Sequence, residues 1–142
     1  MTEVGRILGV DLGARRIGLA VSDPSGVIAS PSATLVRSGN ASRDRAAIVE
    51  AAIEAEAEVV VVGLPRELSG RMGPAARAAR AEVEALRALA PTLRFELYDE
   101  RLTTVIATRS LIGAGVKRKE RKDKVDQVAA AVILQGYLES RS

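Results

Sequence analysis

Ile7-Leu8-Gly9-Val10 is a short apolar run that stops at Asp11, and Ile17-Gly18-Leu19-Ala20-Val21 is a second that stops at Ser22-Asp23-Pro24. Only Leu12 to Arg16 separates them, a length that suits a hairpin turn between two strands. Ser25-Gly26 marks another turn, and residues 27–36 form a weaker third strand in which Pro31 signals a break or a sheet edge. From Arg43 to Ala57 the apolar positions Ile48, Ala51, Ala52 and Ala55 fall on one stripe, as in an amphipathic helix. Val59-Val60-Val61-Val62 is unbroken and β-branched, which predicts a strand buried on both faces. Pro74 suits a first helical position, and the helix it opens runs to about Leu89 and ends before Pro91. Leu93 to Tyr98 alternates as a fifth strand, leading into Asp99-Glu100. A helix capped by Thr103 or Thr104 then runs to about Leu111, and a last one from Asp123 to about Glu139. The order β-β-β-α-β-α-β-α-α predicts an α/β fold whose mixed five-stranded sheet starts antiparallel, continues through βαβ crossovers and is covered by helices. One domain is expected over residues 1–142, with no internal repeat.

Two absences limit the chemistry. The chain has no cysteine and no histidine. Thiolate nucleophiles, zinc–thiolate sites, the serine–histidine nucleophile and imidazole ligation are therefore excluded. A resident metal must be held by oxygen, which favours Mg²⁺ or Mn²⁺. No apolar run approaches the roughly 20 residues that span a bilayer, and residues 1–6 do not resemble a secretion signal, so a cytoplasmic protein with no membrane partner is expected.

Net charge is +3, but it is unevenly placed. Between residues 101 and 124, Arg101, Arg109, Lys117, Arg118, Lys119, Arg121, Lys122 and Lys124 face only Glu120 and Asp123, so this stretch carries +6 and the rest −3. A basic segment on a mildly acidic body suggests a polyanion partner, against the plain alternative of a solvated loop. Phe95, Tyr98 and Tyr137 are the only aromatics, too few for a base-stacking surface. Nucleic acid would then be held through phosphates and shape.

Asp11 and Glu100 both stand at strand ends, where α/β sheets commonly open onto a ligand crevice. Asp126 shares a helix side with Ala129, Ala130 and Ile133, beside the buried stripe. Three convergent carboxylates repel unless a cation neutralises them. A pair of Mg²⁺ or Mn²⁺ ions would do so and act on a phosphodiester without histidine. Singly, each acid has an ordinary reading: Asp11 as a turn cap, Glu100 paired with Arg101 or Arg109, Asp126 favouring a helix N-terminus.

The joint pattern is familiar. Residues 9–23 (Gly-Val-Asp-Leu-Gly-Ala-Arg-Arg-Ile-Gly-Leu-Ala-Val-Ser-Asp), Val62-Gly63-Leu64-Pro65, Asp99-Glu100-Arg101-Leu102-Thr103-Thr104 and Lys124-Val125-Asp126-Gln127-Val128-Ala129-Ala130 resemble, in order, the YqgF family, also called RuvX. Members are described as pre-16S rRNA nucleases and as Holliday junction resolvases. The resemblance implies a ribonuclease H-like fold, Asp11, Glu100 and Asp126 as catalytic and metal-holding acids, and a role in 16S rRNA maturation. Arg16, Arg101 and Thr103 lie inside the matching motifs and are placed to contact phosphate. With Arg15 and with Lys117, Arg118, Lys119 and Lys122 of the basic segment they make up the expected substrate contacts. Structured RNA is expected as partner ahead of branched DNA, and a monomer ahead of a two-fold dimer. Two other readings stay open: a junction resolvase in DNA repair, and a non-catalytic RNA-binding assembly factor. The Asp11-Leu12-Gly13 stretch also resembles the phosphate loop of the actin, Hsp70 and sugar kinase superfamily, though no second ATP-binding lobe is expected at 142 residues.

Overall fold

The computed structural model describes residues 5–65, 72–100 and 118–141. In chain order these form β1 (Arg6–Leu12), β2 (Arg16–Ser22), β3 (Ala29–Val36), α1 (Ala41–Glu54), β4 (Ala57–Leu64), α2 (Pro74–Leu89), β5 (Arg94–Asp99) and α3 (Arg118–Ser140). One five-stranded sheet has the order β3-β2-β1-β4-β5. β1 pairs antiparallel with β2, and β2 with β3, whereas β4 lies parallel to both β1 and β5. This is the mixed sheet expected from the element order.

The side-chain period of two along each strand sorts the core into two layers. Leu8, Val10, Ile17, Leu19, Val60, Val62 and Phe95 meet Ile48 and Ala52 of α1 and Val83 and Leu86 of α2. Ile7, Ala20 and Val61 point the other way, onto Ala129, Ala130, Ile133, Leu134 and Leu138 of α3. Val60, Val61 and Val62 are each 0 % exposed, so the apolar run of β4 serves both layers, and each valine contributes roughly 1.5–3 kcal/mol of burial.

Glycines floor the seat of α3 on the sheet. A Cβ at Gly9 would stand 2.8 Å from Leu134 Cβ, and one at Gly63 would stand 2.7 Å from Ile133 Cδ1. At Gly18 an added Cβ would run into the backbone of Asp126 itself. The glycines thus make room for Leu134, Ile133 and the backbone of Asp126 on α3.

Some expected boundaries move. The last helix begins at Arg118 rather than Asp123. Residues 118–124 contain no Gly or Pro and are mostly Lys, Arg and Glu, which extend a helix readily. Asp123 is thus interior to the helix and not its cap. α1 begins at Ala41, two residues before the expected Arg43, because Asn40 caps it by accepting a hydrogen bond from the Arg43 backbone N–H at 3.1 Å. It ends at Glu54, three residues early, as Glu56 takes a left-handed φ of 55° and Ala57 enters β4. β3 starts at Ala29 and is an edge strand, and its register slips where Pro31 faces Ala20. The helix expected after Thr103 lies outside the described residues.

Asn40→Ala is expected to lower stability by about 1 kcal/mol through loss of that cap, with cleavage activity unchanged. Urea unfolding alongside an activity assay checks both.

Candidate active site

Asp11 is the sixth residue of β1 and only 4 % exposed. It shares the α3 face with Ile7 and Gly9 by strand alternation, and its antiparallel partner is Gly18 on β2. α3 passes over this floor with Asp126 against Gly18, while Ala130 and Leu134 lie further back, over Gly9. The helix therefore runs antiparallel to β1, which brings its N-terminal half to the strand end that bears Asp11. On the other side, Gly63 follows the Val10–Val62 pair on β4, and an added Cβ there would lie 3.2 Å from Glu100 Cγ. Glu100 stands just beyond β5, half-buried.

Gly18, Asp11 and Gly63 occupy three neighbouring strands, so the two flanking acids lie over positions about 10 Å apart, two strand spacings. Asp11, Glu100 and Asp126 therefore lie at one end and on one face of the sheet. Among the described residues no three acids stand close enough together to form a single-ion site. All the donors at this end are oxygens, and the chain holds neither cysteine nor histidine, which fits hard divalent cations. Asp126 lies two turns inside α3, so the favourable N-terminal dipole, which fades within one turn, does not account for an acid there.

Arg15 is exposed in the β1–β2 turn, and Arg16 is the first residue of β2. The turn is closed by Gly13 N–H donating to Arg16 O at 2.9 Å, and a Cβ at Gly13 would sit 2.5 Å from that oxygen, so only glycine fits. Arg101, Thr103 and Lys117 lie outside the described residues. Arg118, Lys119 and Lys122 fall on the first two turns of α3, with their side chains outside the described portion. The sequence reading missed the part played by Gly18 and Gly63: they are the surface on which Asp126 and Glu100 rest. An isolated glycine inside a strand pattern was the available signal, since it marks close backbone approach.

Asp23, at the end of the first motif, belongs to the opposite end of β2 and serves a turn. Its carboxylate accepts from the backbone N–H groups of Ile28 and Val27, each at 2.8 Å, and from Ser25. Those bonds, that from Ile28 foremost, hold its pKa well below the usual 3.8. A depressed folded-state value makes the contribution present above the unfolded value and lost as pH falls through the folded one. Asp23→Asn is therefore expected to flatten the loss of stability below pH 3.8, as read by acid titration with circular dichroism.

The fold is ribonuclease H-like. Over 96% of this chain it matches T. thermophilus RuvC in complex with a Holliday junction substrate, at TM-score 0.59 and 17% identity, covering 95% of that chain. It likewise matches the yeast mitochondrial Holliday junction resolvase Ydc2 at TM-score 0.53 and 13% identity, over 96% of this chain and 80% of that one.

The chain belongs to the RuvX family, described as Holliday junction resolvase, which it matches over residues 5–140. A relative from Nocardia farcinica named "Putative pre-16S rRNA nuclease" is 48% identical over 143 residues, 97% of this chain and 79% of that protein. One of the same name from Mycobacterium tuberculosis is 49% identical over 140 residues, 96% of this chain and 80% of the relative. The protein is accordingly a nuclease, a hydrolase acting on nucleic-acid ester bonds. No helix among the described residues is long and apolar enough to cross a membrane.

Proposed function

We propose that this nuclease is divalent-metal-dependent and acts on structured RNA in 16S rRNA 5′-end maturation, as a cytoplasmic monomer forming one domain. The observation that carries the metal-site reading is the seating of Asp126 on Gly18, the strand partner of Asp11. Asp11, Glu100 and Asp126 would hold Mg²⁺ or Mn²⁺, as two ions, given the width of three strands over which they are spread. When bound, these ions neutralise the acids and lower the pKa of the attacking water.

The chain's own residues do the rest. Asp11 is held by the ladder of β1 with β2 and is buried, so its backbone is fixed where the sheet end opens. Arg15, Arg16 and Arg101 place the scissile phosphate, and Thr103 orients it from the motif that follows Glu100. Arg118, Lys119 and Lys122 on the first two turns of α3, with Lys117 before them in the chain, follow the substrate backbone. The name carried by the relatives supports precursor rRNA as substrate.

The second reading, a Holliday junction resolvase, is favoured by the family description and by the fold of its structural neighbours. A cleavage assay with Mg²⁺ or Mn²⁺ separates them, with precursor 16S rRNA, single-stranded RNA and a four-way DNA junction side by side. Preferential cutting of the precursor supports the RNA reading, and preferential cutting of the junction overturns it. RNA binding without cutting in any lane would instead support an assembly factor.

A further inference from the structure

The end of the sheet opposite Asp11 carries charges of both signs. There Arg6 at the start of β1 and Arg94 at the start of β5 stand with Asp23 just after β2, Glu54 at the end of α1, and Glu56 and Glu58 around the start of β4. At the Asp11 end, on the face away from α3, Arg37 and Arg43 lie near Asp44 of α1. Arg37 follows β3 directly: its backbone N–H donates to Arg15 O at 2.9 Å, and its Nε donates to Gly13 O at 2.7 Å. Its guanidinium is therefore locked against the turn that leaves Asp11. Arg43 lies in the first turn of α1 and is exposed. Asp44 between α1 and Ser38 ties these pieces together, accepting from the Ser38 backbone N–H at 3.0 Å and its hydroxyl at 2.8 Å. Those bonds, and then the nearby charges of Arg37 and Arg43, hold the Asp44 carboxyl below its usual range. Beside Arg37 a hollow of about 360 Å³, walled by Leu12, Gly13, Pro65 and the start of α2, leaves this flank open.

We propose that Arg37 and Arg43 extend Arg15 into a second phosphate-tracking rim, across the sheet end from α3, so that a nucleic-acid backbone is gripped on both sides of the acids. Arg37 is pre-ordered by its bond to Gly13 O, so it loses little freedom on meeting a phosphate. Arg43 is presented by a capped helix turn and supplies a positive charge in water. Neither lies in a motif that carries the family resemblance. The rim rests on the nuclease reading above, deepening it by adding a contact on the flank opposite the basic segment.

Arg43→Ala is the diagnostic variant, because the Asn40 cap uses the backbone N–H of residue 43 and survives the change. Binding of a precursor 16S rRNA fragment is measured with EDTA present, so that nothing is cut, from low to moderate salt. The slope of log K against log salt is expected to flatten by about one, and affinity to fall about fivefold near 0.1 M salt. Arg94→Ala removes the same charge at the far end of β5 and is expected to change neither quantity. Slopes of Arg43→Ala and the wild type that coincide would overturn the rim alone. Equal losses for both variants would also overturn it, since net charge and not placement would then be the cause. Wild-type protein that shows no salt-dependent binding overturns the nucleic-acid reading together with the rim.

Discussion

Asp11→Asn is expected to lower metal-dependent cleavage by on the order of 10³-fold while leaving the protein folded and able to bind RNA. The size follows from removing one charged ligand of a centre worth several kcal/mol in the transition state, at about 1.36 kcal/mol per factor of ten. The substitution keeps the shape of the side chain in a position that is only 4 % exposed, so packing against the α3 face is retained. Single-turnover cleavage with saturating Mn²⁺, together with a thermal melt without metal, checks both halves. A melt that holds while cleavage disappears assigns Asp11 to the chemistry. Cleavage within tenfold of wild type would remove Asp11 from the metal-holding set.

Gly18→Ala is expected to be nearly as damaging to activity, although it replaces none of the three acids. A methyl group there meets the backbone of Asp126, and Ala129 and Ala130 one turn on are fully buried, so the helix has to lift rather than a side chain turn aside. Overpacking of this kind costs roughly 1–3 kcal/mol. Displacing Asp126 by about 1 Å can cost on the order of 10²-fold in rate. Gly39→Ala is the useful comparison: nothing lies within 4 Å of its added Cβ, and only its φ of 86° opposes the change. It is expected to lose about 1 kcal/mol and no activity. Equal activity for the two variants would show that the seat of α3 does not set the site.

The contrast between these glycines shows which features the sequence could display. Strand alternation and the β-branched run of Val59 to Val62 were legible because burial on one or both faces leaves a period in the residues themselves. Asp11, Glu100 and Asp126 were legible as a set only through the four motifs, since 26 residues separate the last two in the chain and their meeting depends on the direction of α3. That direction is written in glycines at 9, 18 and 63, which read singly as weak points of a strand. The start of α3 was placed late because a run of cations looks like a loop when charge is weighed ahead of helix propensity. Arg37 and Arg43 belong to no periodic pattern. Arg37 becomes a neighbour of Arg15 only when β3 closes beside β2.

Every strand of the sheet precedes α3 in the chain, and this bears on how the enzyme comes into being. During synthesis the sheet and its α1/α2 layer can form while Ile7, Ala20 and Val61 still wait for their cover. Asp126 arrives on the same helix that supplies that cover. Until then the nascent protein lacks one of its three acids, and its bare apolar face is the part most open to wrong partners. A nuclease made on ribosomes would thereby gain its cutting centre only in the step that completes its core.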